Sequence, residues 1–331
     1  NIIKLSALLK MSIDQVKGKH STELTKAVII QRSVKSKKEI AEIEKALKIS
    51  HKLHTTTMRK TKPGKSEYEI VEIMEKILIS KGSRWAYIPI FTIRGERLHN
   101  HHYNNKMQKS DLAINDSGAE SPIGHYSSDI TRTFPVSGTF TKKQKEIYEI
   151  VLKSQLAAIK AIKPGVKYLD IHLIVARIIA EGLKKLGIMK GDVDRAVEAG
   201  AHALFFPHGL GHMMGLDAHD MEDLGENYIG YDEKIKRSDQ FGLTYLRLAK
   251  ELQLGYVLTV EPGIYFIPQL IKQWQSENKF EEFIIYDKVN EYIDFGGVRI
   301  EDNILVTKTG HRVLGKSIPK TAKEIESLMK N

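Results

Sequence analysis

The chain is 331 residues long, 41% apolar and 28% charged, with a formal net charge of +10. A chain of this length buries roughly three quarters of its unfolded surface, enough for one large domain or two smaller ones. The lack of cysteine excludes disulfides and thiolate metal sites, and no run of about 18 apolar residues is present to form a membrane-spanning helix.

The positive charge comes from lysines spread along the chain, such as Lys35, Lys37 and Lys38, Lys142, Lys143 and Lys145, and Lys234 and Lys236. No aromatic-studded basic stripe accompanies them, so they read as a solvated surface and no nucleic-acid partner is expected. Any metal must be held by oxygen and imidazole, which favours Mn, Co, Fe or Zn. The chain opens on Asn1, and Ile2 to Leu9 is interrupted by Lys4 and too short for a signal peptide. No membrane association is expected, and the location is read as cytoplasmic.

Residues 1–30 hold short apolar runs and are expected to be the tail of an N-terminal domain, with residues 31–331 forming the main domain. Ser36-x-x-Glu39 reads as a capping box opening a helix with Ile40, Ile43, Leu47 and Leu53 on its apolar face, stopped before Lys62-Pro63-Gly64. A second helix is expected from Ser66, with Glu69 three residues on, to Gly82. About 100 residues later the grammar returns. A helix from Lys142 to about Ile162 meets Lys163-Pro164-Gly165, and another runs from Tyr168 to Leu186. Strand-like segments follow each pair, which predicts two similar α+β halves with a site where they meet.

Leu112 to Asp116 and Ser127 to Thr131 read as strands joined through Ser121-Pro122-Ile123-Gly124. Pairing symmetric about that turn sets Asp116 opposite Asp129, two like charges that call for a cation or for water. Phe206-Pro207-His208-Gly209-Leu210-Gly211-His212 runs on to His219, three histidines suited to metal binding, proton transfer or both. Glycines cost about 1 kcal/mol each inside a helix, and no glutamate stands where a zinc-protease helix needs one. A loop or strand edge with close backbone approach is expected instead. Glu261 ends the apolar run Tyr256 to Val260, and Glu301 follows Val298-Arg299-Ile300. Each acid reads either as a strand-end ion pair or as part of a site, with Arg299 on the face of Glu301 and placed to orient it. Together Asp116, Asp129, Glu261 and Glu301 would bring about four negative charges together, nearly balanced by two divalent cations, with His212 as the nitrogen ligand.

These residues resemble the motifs of the pita-bread-fold metallopeptidases that include Xaa-Pro aminopeptidase, prolidase and methionine aminopeptidase. The resemblance covers roughly residues 31 to 311. It rests on Asp116-Ser-Gly-Ala-Glu120, Ser128-Asp129-Ile-Thr-Arg-Thr-Phe-Pro, His208-Gly-Leu-Gly-His212 with His219-Asp220, Thr259-Val-Glu261-Pro-Gly and Gly297-Val-Arg299-Ile-Glu301-Asp302. It implies an α+β pita-bread fold of two pseudo-symmetric halves and a site for two divalent metal ions, Mn foremost, with Co, Zn or Fe as alternatives. Asp116 would bind one ion, His212 and Glu261 the other, and Asp129 and Glu301 would bridge, with Glu261 also assisting proton transfer. His208 and His219 would face substrate, as would His99 in Leu98-His99, with His102 as runner-up.

The implied function is cleavage of the bond between an N-terminal residue and a following proline. The implied substrate is a peptide with proline second, and a homo-oligomer is left open. Prolidase, restricted to dipeptides, shares every motif. The aminopeptidase reading is preferred on Asp116-Ser-Gly-Ala-Glu-Ser-Pro and the long insertion between His219 and Glu261. A binding module of the same fold that has lost catalysis is the alternative of another class, although all five ligand positions carry competent residues.

Overall fold

Hydrogen bonds local to the chain set where the first helices begin. In the computed structural model, which describes residues 2–19 and 21–330, three helices come first: α1 (Ile2–Leu9), α2 (Ile13–Gly18) and α3 (Thr22–Ser33). α1 and α2 bury no residue, while α3 buries Ile29 and Ser33 and runs through the 30/31 boundary drawn from the sequence. Asn1 and His20, assigned above to the tail, and Asn331 lie outside the described residues.

The two expected capping boxes form at Ser36/Glu39 and Ser66/Glu69, opening α4 (Lys37–Lys60) and α5 (Glu67–Ser80). Each box satisfies backbone donors that the first helical turn leaves free. Ile43, Leu47 and Leu53 on α4 are buried as expected, and so are Ser50, His54 and Thr57. The buried polar groups have a task, because Ser50 Oγ accepts from the Ala119 amide at 3.0 Å and His54 Nε2 lies 3.0 Å from the Ser117 carbonyl. The helix thereby grips the backbone on either side of Gly118.

That backbone belongs to an antiparallel sheet of β1 (Ile90–Thr92), β2 (Leu112–Asp116) and β3 (Thr131–Pro135), in the order β1-β2-β3. Here the expected register is corrected. Asp116 pairs with Thr131, not Asp129, and the ribbon continues through a bridge between Glu120 and Ser127. The pairing is centred between Ile123 and Gly124, one residue beyond the turn centre read from the sequence, so Asp129 stands opposite Gly118. A Cβ at Gly118 would lie 1.8 Å from the Ser128 carbonyl oxygen, which only glycine avoids. Asp116 and Asp129 consequently sit as diagonal neighbours on one face.

The second half repeats the plan with α6 (Lys142–Ala161) and α7 (Tyr168–Lys185), joined through Lys163-Pro164-Gly165. Then come α8 (Val193–Ala199), α9 (Glu226–Gly230), β4 (Val257–Val260), β5 (Gly263–Tyr265), α10 (Pro268–Ser276), α11 (Tyr286–Asn290), β6 (Gly297–Arg299), β7 (Asp302–Val306), β8 (His311–Val313) and α12 (Ala322–Lys330). β4, β7 and β8 form one sheet in the order β4-β7-β8, and β5 and β6 pair as a separate ribbon.

The halves are sewn together between residues 129–133 and 299–303. The Glu301 amide donates to the Thr131 carbonyl at 3.1 Å, the Asp129 amide to Asn303 Oδ1 at 3.0 Å, and the Arg299 amide to Thr133 Oγ1 at 3.0 Å. Arg132 lies across this seam, donating to the Glu301 carbonyl at 2.6 Å and to Asp302 Oδ1 at 2.7 Å. One large apolar core runs beneath, drawing residues from both helix pairs and all three strand groups, and Tyr231, Ile235, Leu246 and Ala249 form a smaller separate cluster.

Candidate metal centre

Each half delivers two carboxylates to the seam: Asp116 and Asp129 from the first, Glu261 and Glu301 from the second. His212 comes from the glycine-flanked segment, which is irregular rather than helical, as expected. A Cβ at Gly211 would fall 2.2 Å from the Thr259 carbonyl oxygen, so glycine lets this segment lie against β4. The contact is sealed by the Thr259 amide donating to the His212 carbonyl at 3.0 Å and by the His212 amide donating to Thr259 Oγ1 at 3.0 Å.

Donor atoms of Asp129, His212 and Glu301 lie within 4.8 Å of one another, and all three residues are buried. Glu261 Oε1 is 3.4 Å and Asp129 Oδ2 is 3.5 Å from His212 Nε2. Asp116 joins through Tyr87, whose hydroxyl lies 2.8 Å from Asp116 Oδ1 and 2.5 Å from Asp129 Oδ1. The five residues therefore flank one space.

The crowding of like charges shifts the protonation of these groups. Burial, reinforced by Asp129, raises Glu261 to about 7, against the pull of His212. Burial and the neighbouring Asp129, Glu261 and Asp116 raise Glu301 well above the usual carboxylate range. For His212 burial acts downward, but Asp129 and Glu261 outweigh it and lift the imidazole to about 9. Asp129 is held low despite its burial, through His212 and Tyr87. Two buried carboxylates, Asp129 and Glu301, and two half-buried ones, Asp116 and Glu261, form an oxygen-rich cradle, and with one imidazole and no thiolate the donor set fits hard to borderline divalent metals.

Arg299 differs from its expected role. Its guanidinium donates to Asp116 Oδ2 at 2.5 Å and to the Tyr265 hydroxyl at 2.8 Å, and reaches Glu301 only through Thr131. Thr131 Oγ1 donates to Glu301 Oε2 at 2.7 Å. The reason is the register, which sets Thr131 beside Asp116 and between the two charged groups. Tyr265 continues the chain to His208, whose Nε2 lies 2.9 Å from the Tyr265 hydroxyl while its Nδ1 lies 2.8 Å from the Gly209 carbonyl. Burial and Arg299 lower His208 to about 3, so it is neutral.

A cavity of about 1220 Å³ opens over the cluster. His99, His208 and His219 line it, as does His101, whereas His102 is absent from its wall. The His219 ring packs edge-on against His212 with centroids 4.3 Å apart. Tyr87, Thr131, Tyr265 and Glu222, the last 3.4 Å from His219 Nδ1, went unread in the sequence. Tyr265 alone carried a local sign, alternating with Gly263 after the Glu261-Pro262 corner.

Comparison with known proteins decides the family. Residues 41–308 match the model of metallopeptidase family M24. The chain belongs to that family. It is 38% identical to a probable Xaa-Pro aminopeptidase of Sordaria macrospora, over 97% of this chain and 67% of that protein. It is 37% identical to the human Xaa-Pro dipeptidase, over 94% of this chain and 62% of that protein. Among solved structures, zinc-substituted E. coli aminopeptidase P in complex with product superposes with a TM-score of 0.76 at 36% identity, covering 92% of this chain and 61% of that one. The chain thus spans roughly two thirds of the length of these M24 relatives. The α+β pita-bread fold expected from the resemblance is the fold of this M24 chain.

Proposed function

We propose that this M24 chain is a divalent-metal exopeptidase that releases an N-terminal residue from a following proline. The observation that carries the reading is the convergence of Asp116, Asp129, His212, Glu261 and Glu301 on one buried space beneath a peptide-sized cavity. The names of the relatives supply the substrate class. Asp116 would hold one ion, His212 and Glu261 the other, and Asp129 and Glu301 both. Bound divalent cations supply Lewis acidity, acidifying water and offsetting negative charge that develops at the scissile carbonyl. Manganese is proposed as the resident metal, with Co, Zn and Fe as alternatives.

Glu261, which lines the cavity 3.4 Å from His212 Nε2, would take and return a proton of water held at the centre. Arg299 fixes Asp116 while donating to Tyr265, so one side chain spans the metal cluster and the cavity wall. His208 and His219 line the cavity and are assigned to hold the carbonyl oxygen as it gains charge, with His99 also in its lining. Proline lacks an amide hydrogen and has a fixed φ, so a substrate with proline second enters bent and makes no backbone donation there.

Residues 31–331 are assigned as the catalytic domain. Among the described residues no helix is long and apolar enough to cross a membrane, and with no cysteine in the chain a cytoplasmic setting is proposed. The test strips the protein with chelator and restores Mn or Co in the presence of a Xaa-Pro-Yaa tripeptide and a Xaa-Pro dipeptide. The expected result is recovery on the tripeptide first. Recovery on the dipeptide alone would replace the aminopeptidase reading by the dipeptidase one, and no recovery with any divalent ion would point to a binding module.

A further inference from the structure

The wall of the cavity facing the metal centre is built from the segment between His219 and Glu261. Among the described residues the lysines and arginines that line the cavity are Arg32, Arg237, Arg247 and Arg299, and each is already paired. Asp116 holds Arg299, and Asp220 draws Arg32 away at 2.6 Å. Arg237 is locked by Glu226 at 2.5 Å, Asn227 at 3.0 Å and the Thr244 carbonyl at 2.7 Å, with its guanidinium 4.8 Å from the Tyr231 ring centroid. Arg247 contacts Glu222 and lies 3.3 Å from Glu226. It lines the same cavity as His99 and His208 and, like Arg299, bears electrostatically on both.

We propose that Glu222 is a specificity-determining residue: by occupying Arg247 it denies that cation to a free carboxylate, so the site takes Xaa-Pro-Yaa and longer peptides in preference to Xaa-Pro dipeptides. This rests on the Xaa-Pro reading above. Glu222, Arg247, Glu226 and Arg237 form a line of alternating charge that is already balanced. A dipeptide brings its carboxylate directly after the proline and sets three anions against two cations. A longer peptide continues there as a neutral amide and meets no such imbalance. Glu222 is well placed to hold the pairing, since it is largely buried and follows Met221, whose φ of 66° is uncommon for a residue with a side chain.

The test compares wild type, Glu222→Gln and Glu222→Gln/Arg247→Met. With metal-loaded protein, the ratio of kcat/KM for a Xaa-Pro-Yaa tripeptide over its Xaa-Pro dipeptide is expected to fall about ten-fold in Glu222→Gln, through a lower KM for the dipeptide. The double variant is expected to restore the ratio. Binding gives a second readout without turnover: proline should gain about ten-fold over prolinamide in Glu222→Gln and lose that gain with Arg247. Glu226→Gln carries the same expectation with a smaller shift, should Glu222→Gln fail to fold. An unmoved ratio, or a dipeptide gain that survives removal of Arg247, overturns the assignment. Wild type that cleaves neither peptide overturns the Xaa-Pro reading itself, whereas wild-type cleavage with an unmoved ratio overturns only the role of Glu222.

Discussion

Tyr87 puts one phenolic proton between two carboxylates, and this small device sets how Asp116 and Asp129 face the centre. Removing it takes away a group that touches both carboxylates and leaves Asp116 to Arg299 and Asp129 to His212. Outer partners of metal ligands typically contribute 10–100-fold to affinity, and Tyr87→Phe is expected to weaken Mn binding by about that factor, measured by calorimetry on the stripped protein. A matching loss is expected for Thr131→Val, because Thr131 Oγ1 donates to Glu301 and stands between it and Arg299. An affinity unchanged in both variants would show that neither residue organises the ligands. The residues proposed as ligands were legible in the chain, since Asp116, Asp129, His212, Glu261 and Glu301 each sit in a short motif. Their supporting residues were not. Tyr87 and Thr131 acquire their partners from segments 29 or more positions away, and Glu222 pairs with Arg247 25 positions on, which no local pattern encodes.

Elements were read well where the signal was local. Ser36/Glu39 and Ser66/Glu69 mark helix starts because the capping bonds span three residues, and the Lys-Pro-Gly stops work for the same reason. The strand after Asp116 was placed four residues too early, over Ser127 to Thr131 instead of Thr131–Pro135. Ser127 makes one isolated bridge, to Glu120, and the register of Ser127 to Ile130 comes from the close approach at Gly118 and from Ser50 on α4, neither visible in the alternation of apolar residues. The irregular character of the His208 to His212 segment was readable, because glycine has a high helix cost. What the glycine is for became clear only against β4. Gly211→Ala would drive a Cβ into the Thr259 carbonyl, and a loss on the order of 2–4 kcal/mol in denaturant unfolding is expected, together with loss of metal binding. A variant of wild-type stability would mean that the His212 segment is free to move off β4.

At the scale of the whole molecule, the two-halves organisation was legible from the repeated helix, Lys-Pro-Gly, helix grammar, but the seam was not. Arg132 and Asp302 are buried there, with Gln155 and Lys320 satisfying the remaining Asp302 oxygen at 2.8 and 2.6 Å. Breaking a buried pair leaves an uncompensated charge, so Arg132→Met is expected to cost about 3–5 kcal/mol of unfolding free energy, with the double replacement of Arg132 and Asp302 by apolar residues costing less. Equal stability in Arg132→Met would remove the seam from the account of the fold.

Acid should act on the second half. His172 and His202 are buried without hydrogen-bond partners among the described residues, and burial lowers them to about 3 and about 4. Both stay neutral when folded but bind a proton near 6.5 once unfolded. Their contribution is therefore complete above pH 6.5 and shrinks as pH falls toward their folded values, at about 1.4 kcal/mol per pH unit for each histidine. Denaturant unfolding at pH 7 and pH 5 should show the decline, and His172→Phe should reduce it by the share of one histidine. A slope that His172→Phe leaves untouched would assign the acid sensitivity elsewhere.

The most direct measurement counts metal and turnover together: chelator-stripped protein is titrated with Mn while bound metal per chain and release of the N-terminal residue from a Xaa-Pro-Yaa peptide are both followed. The account predicts that cleavage saturates as two ions are bound, and that His212→Ala abolishes turnover. Cleavage that proceeds without metal, or that survives His212→Ala undiminished, would contradict it.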